Sequence, residues 1–524
     1  MHLKHYLLAA QLVVAAPALV QAQKTTIDNI YSVSLKNSGT IESGGEVKGY
    51  FYFYVSDKVD RSTNEYTIQV LDENLREVNR IKFEDDKKEQ LIETSYNTSS
   101  MLFLFMNAGE RTFTSKIYGL DGKLRQTYTR ELDKRSMAFL TQSGSLRAVN
   151  NDEAANKFVY DIENKGYLAV IPLRDGKDYS FEIGIIRSDT KKQLTYAADY
   201  GDYKYATASY LGTSGDVAVF EVLKKEKLMS NKLESSLLGI DINTGRKRFD
   251  IDENATKYKF LPLNISNLNN SNEILLLGNY YDKDDRVMKN ATMGVAAITI
   301  DGKGKILNQK YNSWAGDFAK FFNIDAKGKL ENVGYLYFHK LVQTEDGDIY
   351  AIGEGYNRVA SGAGIALTVL GAATRSSNGG SSVTNLNITN MVLVRFDNQF
   401  NVKDVKIYEK NKNRFSLPGG DYVSAHLLAA AAKTMGAYDY EFTRVNNTHS
   451  SFYVAFSDYE RGKDYKGMVF RSIAYNEGQI TTDKLQLKST ASSMRVLPAK
   501  TGSILVSEYF KKEKKIDIRL EKLN

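Results

Sequence analysis

The chain has 524 residues, with 70 Lys and Arg against 63 Asp and Glu for a net charge of +7. It contains no cysteine, which excludes disulfides, thiolate metal sites and cysteine nucleophiles. The mild positive excess is spread along the chain rather than gathered in a stripe, so it calls for no nucleic-acid partner.

Residues 1–22 read as a signal peptide. Lys4, with His2 and His5, forms a basic start, YLLAAQLVVAAPALV an apolar core, and Val20 and Ala22 the small residues that precede cleavage before Gln23. No cysteine follows the core, which excludes lipid anchoring of the bacterial lipoprotein type. No later apolar run reaches the ~18 residues a membrane span needs. An exported chain without cysteine points to a bacterial protein, periplasmic or extracellular after cleavage.

The remainder, 23–524, is expected to be one domain. Residues 25–35 (TTIDNIYSVSL) alternate as a strand does. One pattern then recurs eight times, starting at Gly49, Met101, Gly166, Gly215, Asn272, Gly347, Ser451 and Gly502. Each unit opens with five or six aliphatic and aromatic residues. A charged loop follows, then a second apolar run, a turn such as Asp121-Gly122-Lys123, and an alternating stretch. Another alternating stretch, such as YLYFHKLVQT from Tyr335, precedes each unit. Continuous apolar runs predict strands buried on both faces, and alternating ones predict outer strands.

Four strands per unit, repeated in one phase, predict an all-β fold, a β-propeller of four-stranded antiparallel blades. A blade cannot bury both faces alone and does so against its neighbours. The count gives eight blades, with seven and one distorted unit as the alternative. The last unit ends after its third strand. Residues 25–35 are expected to supply the fourth and to close the ring, removing an exposed edge.

Two insertions interrupt the pattern, at 358–389 inside the sixth unit and at 409–437 between the sixth and seventh. Strand parity puts both on the same face. The second holds Pro418-Gly419-Gly420, then Asp421 as an N-cap and Gly436 as a stop, predicting a helix over 422–435. The first carries Leu367 and Leu370 in a weak helical stretch, 359–373, interrupted by Gly362, Gly364 and Gly371, and then a Ser/Gly-rich loop over 376–382. The two segments are expected to cap the propeller channel, with contact to a partner or lipid as the other use of the patch.

After processing only His339, His426 and His449 remain, at irregular spacing, so a histidine zinc site is not expected. Asp282, Asp284 and Asp285 read as a solvated turn, with calcium as the alternative. Acids recur where the second strand of a unit ends: Asp57, Glu110, Glu221, Asp282, Glu354, Asp458 and Glu508. Tyr281, Tyr356, Tyr459 and Tyr509 accompany four of them. Carboxylate pairs with tyrosines suit a glycosidase or lyase, but the single Trp, Trp314, provides no sugar platform. The candidate binding face comprises Glu354, Tyr356, Asp458, Tyr459, Leu367 and Leu370. No catalytic residue, metal or cofactor is assigned.

The signal peptide, the segment FHKLVQTEDGDIYAIGEGY (338–356) and the Ala/Gly-rich insertion after it give the chain a resemblance over nearly all of 23–524. It resembles an uncharacterised domain-of-unknown-function family of exported bacterial propeller-like proteins. The resemblance implies fold and export and carries over no activity. Two marks of known propellers are absent: the Trp-docking repeats of quinone-dependent dehydrogenases and the Gly-His and Trp-Asp pairs of WD repeats. The reading is an exported, non-enzymatic binding or assembly protein that meets an unknown protein or envelope component through its insertion face. The alternative is a propeller hydrolase or lyase acting on an extracellular polymer through strand-end acids and tyrosines.

Overall fold

Apolar runs without alternation become strands with no solvent face. In Ser100–Asn107 (SMLFLFMN) and Ile274–Tyr281 (ILLLGNYY) every residue is buried, as a strand covered on both sides requires. In Glu77–Asp86 exposed and half-buried residues alternate, and that strand lies at a sheet edge. The computed structural model describes residues 23–43, 46–145, 157–162, 165–188, 190–227, 230, 232–267, 273–359, 383–418, 424–500 and 502–523. The expected signal peptide, Leu367, Leu370, the 376–382 loop and Asp421 lie outside the described residues.

The strands form four-stranded antiparallel sheets in chain order. The sixth runs Tyr335–Gln343, Ile349–Val359, Val383–Phe396, Val402–Tyr408. The third set (Val159–Ile162 to Gln193–Ala197) and the fourth (Tyr205–Ser214 to Lys247–Asp252) touch through one parallel bridge, Tyr179 to Tyr205, and so count as one eight-stranded sheet. Consecutive sheets pack face to face. Phe51 and Phe53 of the first meet Phe103 and Phe105 of the second. Leu275 and Val295 of the fifth meet Ala351 and Val394 of the sixth. Tyr50 and Tyr52 of the first also pack with Leu505 and Ile516 of the last. The arrangement is that of a β-propeller.

The N-terminal strand joins the last sheet, in the order Lys24–Ile27, Lys515–Lys522, Ser503–Phe510, Ser493–Pro498. It is shorter than the expected 25–35. Asn29 turns the chain with a φ of 60°, a left-handed conformation that Asn tolerates. Tyr31 and Ser32 then donate to the Val55 carbonyl of the first sheet at 2.9 and 3.2 Å, and Leu35–Asn37 forms a 3-10 turn. The Leu35 carbonyl accepts from Arg495 at 2.8 Å, and Tyr52 and Ser507 share a hydroxyl hydrogen bond of 2.6 Å. One short segment thus ties the last sheet to the first. Deleting residues 24–27 uncovers the Lys515–Lys522 edge and removes the buried Ile27. The expected loss is on the order of 2–3 kcal/mol with the fold retained, read from denaturant unfolding; an unchanged midpoint would contradict the pairing.

The sixth sheet departs from the expected insertion bounds. Its second strand runs on to Val359 and its third begins at Val383, and Asn413–Pro418 pairs with the third from Val383 to Ile388. Leu386 and Ile388 are fully buried there, so the alternation in TNLNIT is a strand signal. The pairing sets the two insertions side by side. The expected helix over 422–435 is Ala425–Thr434, with Ser424 as its N-cap, accepting from the Leu427 N–H at 3.4 Å. A helix not expected from sequence, Lys134–Ser145, covers the junction of the second and third sheets through Met137 and Leu140.

Candidate functional site

The acids expected at strand ends are not all there, for Glu221, Glu354 and Asp458 lie within their strands, which run on past the apolar segment. A carboxylate within a buried strand loses water and must find partners or stay protonated. Glu354, on Ile349–Val359, has a side chain 0% exposed and takes the first course. It accepts from the Asp439 and Tyr440 backbone N–H groups at 3.3 and 3.2 Å and from the Lys410 ammonium at 2.9 Å, and lies 3.4 Å from His339 Nε2. Lys410 also bonds Asp439, whose other oxygen accepts from Asn413 at 2.9 Å. Burial alone would draw the Lys410 ammonium down, but Glu354 and Asp439 outweigh it and hold it above its ordinary value. Burial and then the Glu354 charge push Asp439 up to about 6, against Lys410.

Asp458 is likewise buried and accepts from the Asn411 and Tyr459 N–H groups at 3.0 and 2.7 Å, with Arg471 at 2.8 Å. Glu354 and Asp458 therefore flank the Lys410-Asn411 dipeptide as its anchors. Tyr459 is 40% exposed. Glu508 pairs with Arg519, while Asp57, Glu110 and Asp282 face solvent. The Asp282 and Asp285 carboxylates accept from backbone N–H groups of their own turn. Among the described residues no three His, Cys, Asp or Glu side chains gather to hold a metal ion.

Tyr356 serves the helix Ala425–Thr434. Its hydroxyl lies 3.0 Å from His426 Nδ1, and Thr292 lies 3.3 Å from Nε2. Trp314 donates to Thr292 at 2.9 Å. An indole N–H only donates, so Thr292 accepts from Trp314, and the two ring nitrogens of His426 join Thr292 to Tyr356. Burial draws His426 down to about 4, which keeps the ring neutral in this relay. The helix is thereby fixed to the fifth and sixth sheets, and Leu427, Leu428, Ala429 and Ala432 bury against them.

Below that helix is a cavity of about 340 Å³. Tyr160, Tyr210, Leu263 and Tyr337, on the first strands of the third to sixth sheets, supply its walls, and Leu427, Ala430 and Lys433 of the helix close one side. Glu221, in the middle of the second strand of the fourth sheet, Val217–Lys225, is the only acid among the described lining residues. Its Oε1 is buried without a hydrogen-bond partner. Phe220 and Val222 beside it are 0% exposed. Burial is the one cause that pushes the Glu221 carboxyl up to about 8, so it is protonated at neutral pH. The Tyr281 hydroxyl, near enough to feel the Glu221 charge, is also buried without a partner. His339 reaches the same wall, with its ring stacked on Tyr440 at 4.6 Å and Glu354 behind it. The Lys433 ammonium lies 5.0 Å from the Tyr440 ring centre.

Of the six residues of the sequence-derived face, Glu354, Tyr356 and Asp458 stand within one buried region as supports. Tyr459 faces solvent, and Leu367 and Leu370 lie outside the described residues. Sequence reasoning named Glu221 among seven equivalent acids without separating it, and missed Lys410, Asp439, Lys433 and Thr292. For Glu221 a signal exists: VAVFEVL sets an acid between fully apolar neighbours. Lys410 sits in a polar run, EKNKNR, that gives none.

A family model described as "Family of unknown function (DUF6770)" matches residues 3–524. No curated protein matches the chain. Among solved structures, the chain is similar to the WD40 domain of SCAP from fission yeast at 7% identity, covering 95% of this chain and 94% of that one, with a TM-score of 0.38. It is similar to the β-propeller domain of the Trilobed protease from Pyrococcus furiosus at 11% identity, covering 76% and 97%, with a TM-score of 0.30. For Porphyromonas gingivalis dipeptidyl peptidase 4 the identity is 10%, the coverage 91% and 56%, and the TM-score 0.39.

Proposed function

The chain belongs to the family of unknown function DUF6770, and from that premise we propose that it is an exported, closed eight-bladed propeller whose work is binding rather than catalysis. The leader-like residues 1–22 support export to the periplasm or beyond. Eight four-stranded sets, and an N-terminal strand that completes the last of them, support the blade count and the closure.

The observation that carries the binding reading is the division of labour among the acids. Glu354 and Asp458, which a hydrolase or lyase would need at an open site, are buried in ion pairs that hold loops. Among its described lining residues the cavity under the helix has one carboxyl, three lysines and His339 beside aromatic and aliphatic side chains, and an apolar lining with a few polar groups is that of a small-molecule site. The insertion face, where Val359 and Val383 leave and re-enter the sixth sheet and Tyr459 is exposed, is the proposed contact for a protein or envelope component. No metal or cofactor enters this reading.

Ala430→Phe tests it, because the half-buried Ala430 lines the cavity and the ring would fill it from a helix already fixed by His426. A thermal-shift screen of small molecules is expected to return compounds that stabilise the wild type. At a hundredfold excess over Kd the gain is about 2.7 kcal/mol. The same compounds should leave Ala430→Phe unmoved and be recovered unchanged by mass spectrometry. Compounds that stabilise both proteins equally would move the site elsewhere, and conversion to product would make the protein an enzyme.

A further inference from the structure

We propose that the cavity under the helix takes a small organic amine with an apolar body, its ammonium seated against the Glu221 carboxylate. The inference rests on the binding reading above and names the ligand class for it. Three observations lead to it. Glu221 is the only acid among the described lining residues, and its Oε1 is buried with no partner in the protein. The lining includes three tyrosines, Tyr160, Tyr210 and Tyr337, aromatic side chains of the kind that attract a cation. The volume, about 340 Å³, suits a small ligand rather than a polymer.

The charged groups around the cavity do not already neutralise that acid. Lys157, Lys340 and Lys433 line it, as does His339. Lys433 stands against the Tyr440 ring. On the strand of Glu221 itself, Lys224 stands over Tyr200 and Tyr203 at 4.9 and 5.2 Å, and Lys225 is buried beside it. Tyr281 and Tyr337 feel the Glu221 charge. None of these cations lowers the carboxyl, whose elevation comes from burial alone. The site thus holds a neutral acid that an arriving ammonium would convert to its conjugate base. The balance is simple: the carboxylic acid and the ammonium give an ion pair, and one proton leaves to solvent.

Isothermal titration with benzylamine, using benzyl alcohol and phenylacetate as neutral and anionic comparators, tests this on the wild type, Glu221→Gln and Ala430→Phe. Benzylamine is expected to bind best and to release about one proton at neutral pH, measured from buffers of different ionisation enthalpy. Its affinity should rise about tenfold per unit from roughly pH 6 to 8. Glu221→Gln should weaken it at least about tenfold and abolish both the proton release and the pH dependence. Absence of benzylamine binding, or binding without proton release, would overturn the inference. Phenylacetate or benzyl alcohol binding more tightly, with loss in Ala430→Phe, would overturn the amine while keeping the cavity as a binding site. Benzylamine binding unchanged in Ala430→Phe would remove the cavity reading itself.

Discussion

A Lys410→Met chain is expected to unfold on the order of 3–5 kcal/mol more easily than the wild type, a large part of the stability of any domain. The Lys410 side chain is entirely buried, and among the described residues its ammonium is the one cation in contact with both Glu354 and Asp439. Without it, two carboxyl groups share a site from which water is excluded. One or both must take up a proton or draw water inward, and the Asp439 and Tyr440 N–H groups lose an ionised acceptor. The damage would spread, because the Lys410-Asn411 dipeptide also caps Asp458 and because His339, which faces the cavity, leans on Glu354. Adding Glu354→Gln and Asp439→Asn to Lys410→Met removes the stranded acids and should recover much of the loss. Denaturant midpoints of the single and triple variants measure both effects. A single variant within experimental error of the wild type would show that the network holds nothing together.

Much of the fold was legible because the physics is local. A run such as MLFLFM has no polar face, so it must lie between layers, and eight such runs in one phase leave few architectures open. The missing last strand was legible by arithmetic on the same pattern. Boundaries were less so. Asn29 ends the first strand early because its φ of 60° breaks the pairing, which an alternating pattern alone does not announce. Ser424 rather than Asp421 caps the helix; both are good caps, and the seating of Ser424 is settled by the Val287 carbonyl that its hydroxyl reaches at 2.9 Å, far away in sequence. The same non-locality governs the acids. Glu354 and Glu221 occupy like positions within the second strands of their sheets. Only the tertiary structure brings Lys410 to the first and leaves Oε1 of the second without a hydrogen-bond partner among the described residues. The tyrosines divide in the same way: Tyr356 finds His426, and Tyr281 finds no partner among the described residues.

Glu221 is the residue on which the binding reading turns. A carboxyl whose Oε1 is kept buried without a partner at the edge of a cavity costs stability that Gln in its place would not, a trade characteristic of functional sites. The sign follows from linkage. In the unfolded chain the group titrates at its ordinary value of 4.5, and in the folded protein at about 8. Below the lower value both states hold the proton and nothing is lost. Between the two the folded state binds more protons than the unfolded one, so stability falls as pH rises. The slope is about 1.4 kcal/mol per pH unit, and the total by pH 8 is on the order of 3–5 kcal/mol. Gln has no such titration and nearly the same shape as the protonated acid. The most direct measurement is therefore denaturant unfolding of wild-type and Glu221→Gln protein across that pH range. The two proteins should be nearly equally stable at the acid end, with Glu221→Gln increasingly the more stable as pH rises toward 8. Parallel curves across the range, or a Glu221→Gln protein less stable at pH 8, would mean that the carboxyl is ionised and partnered in the folded protein, and the cavity would lose the group proposed to receive its ligand.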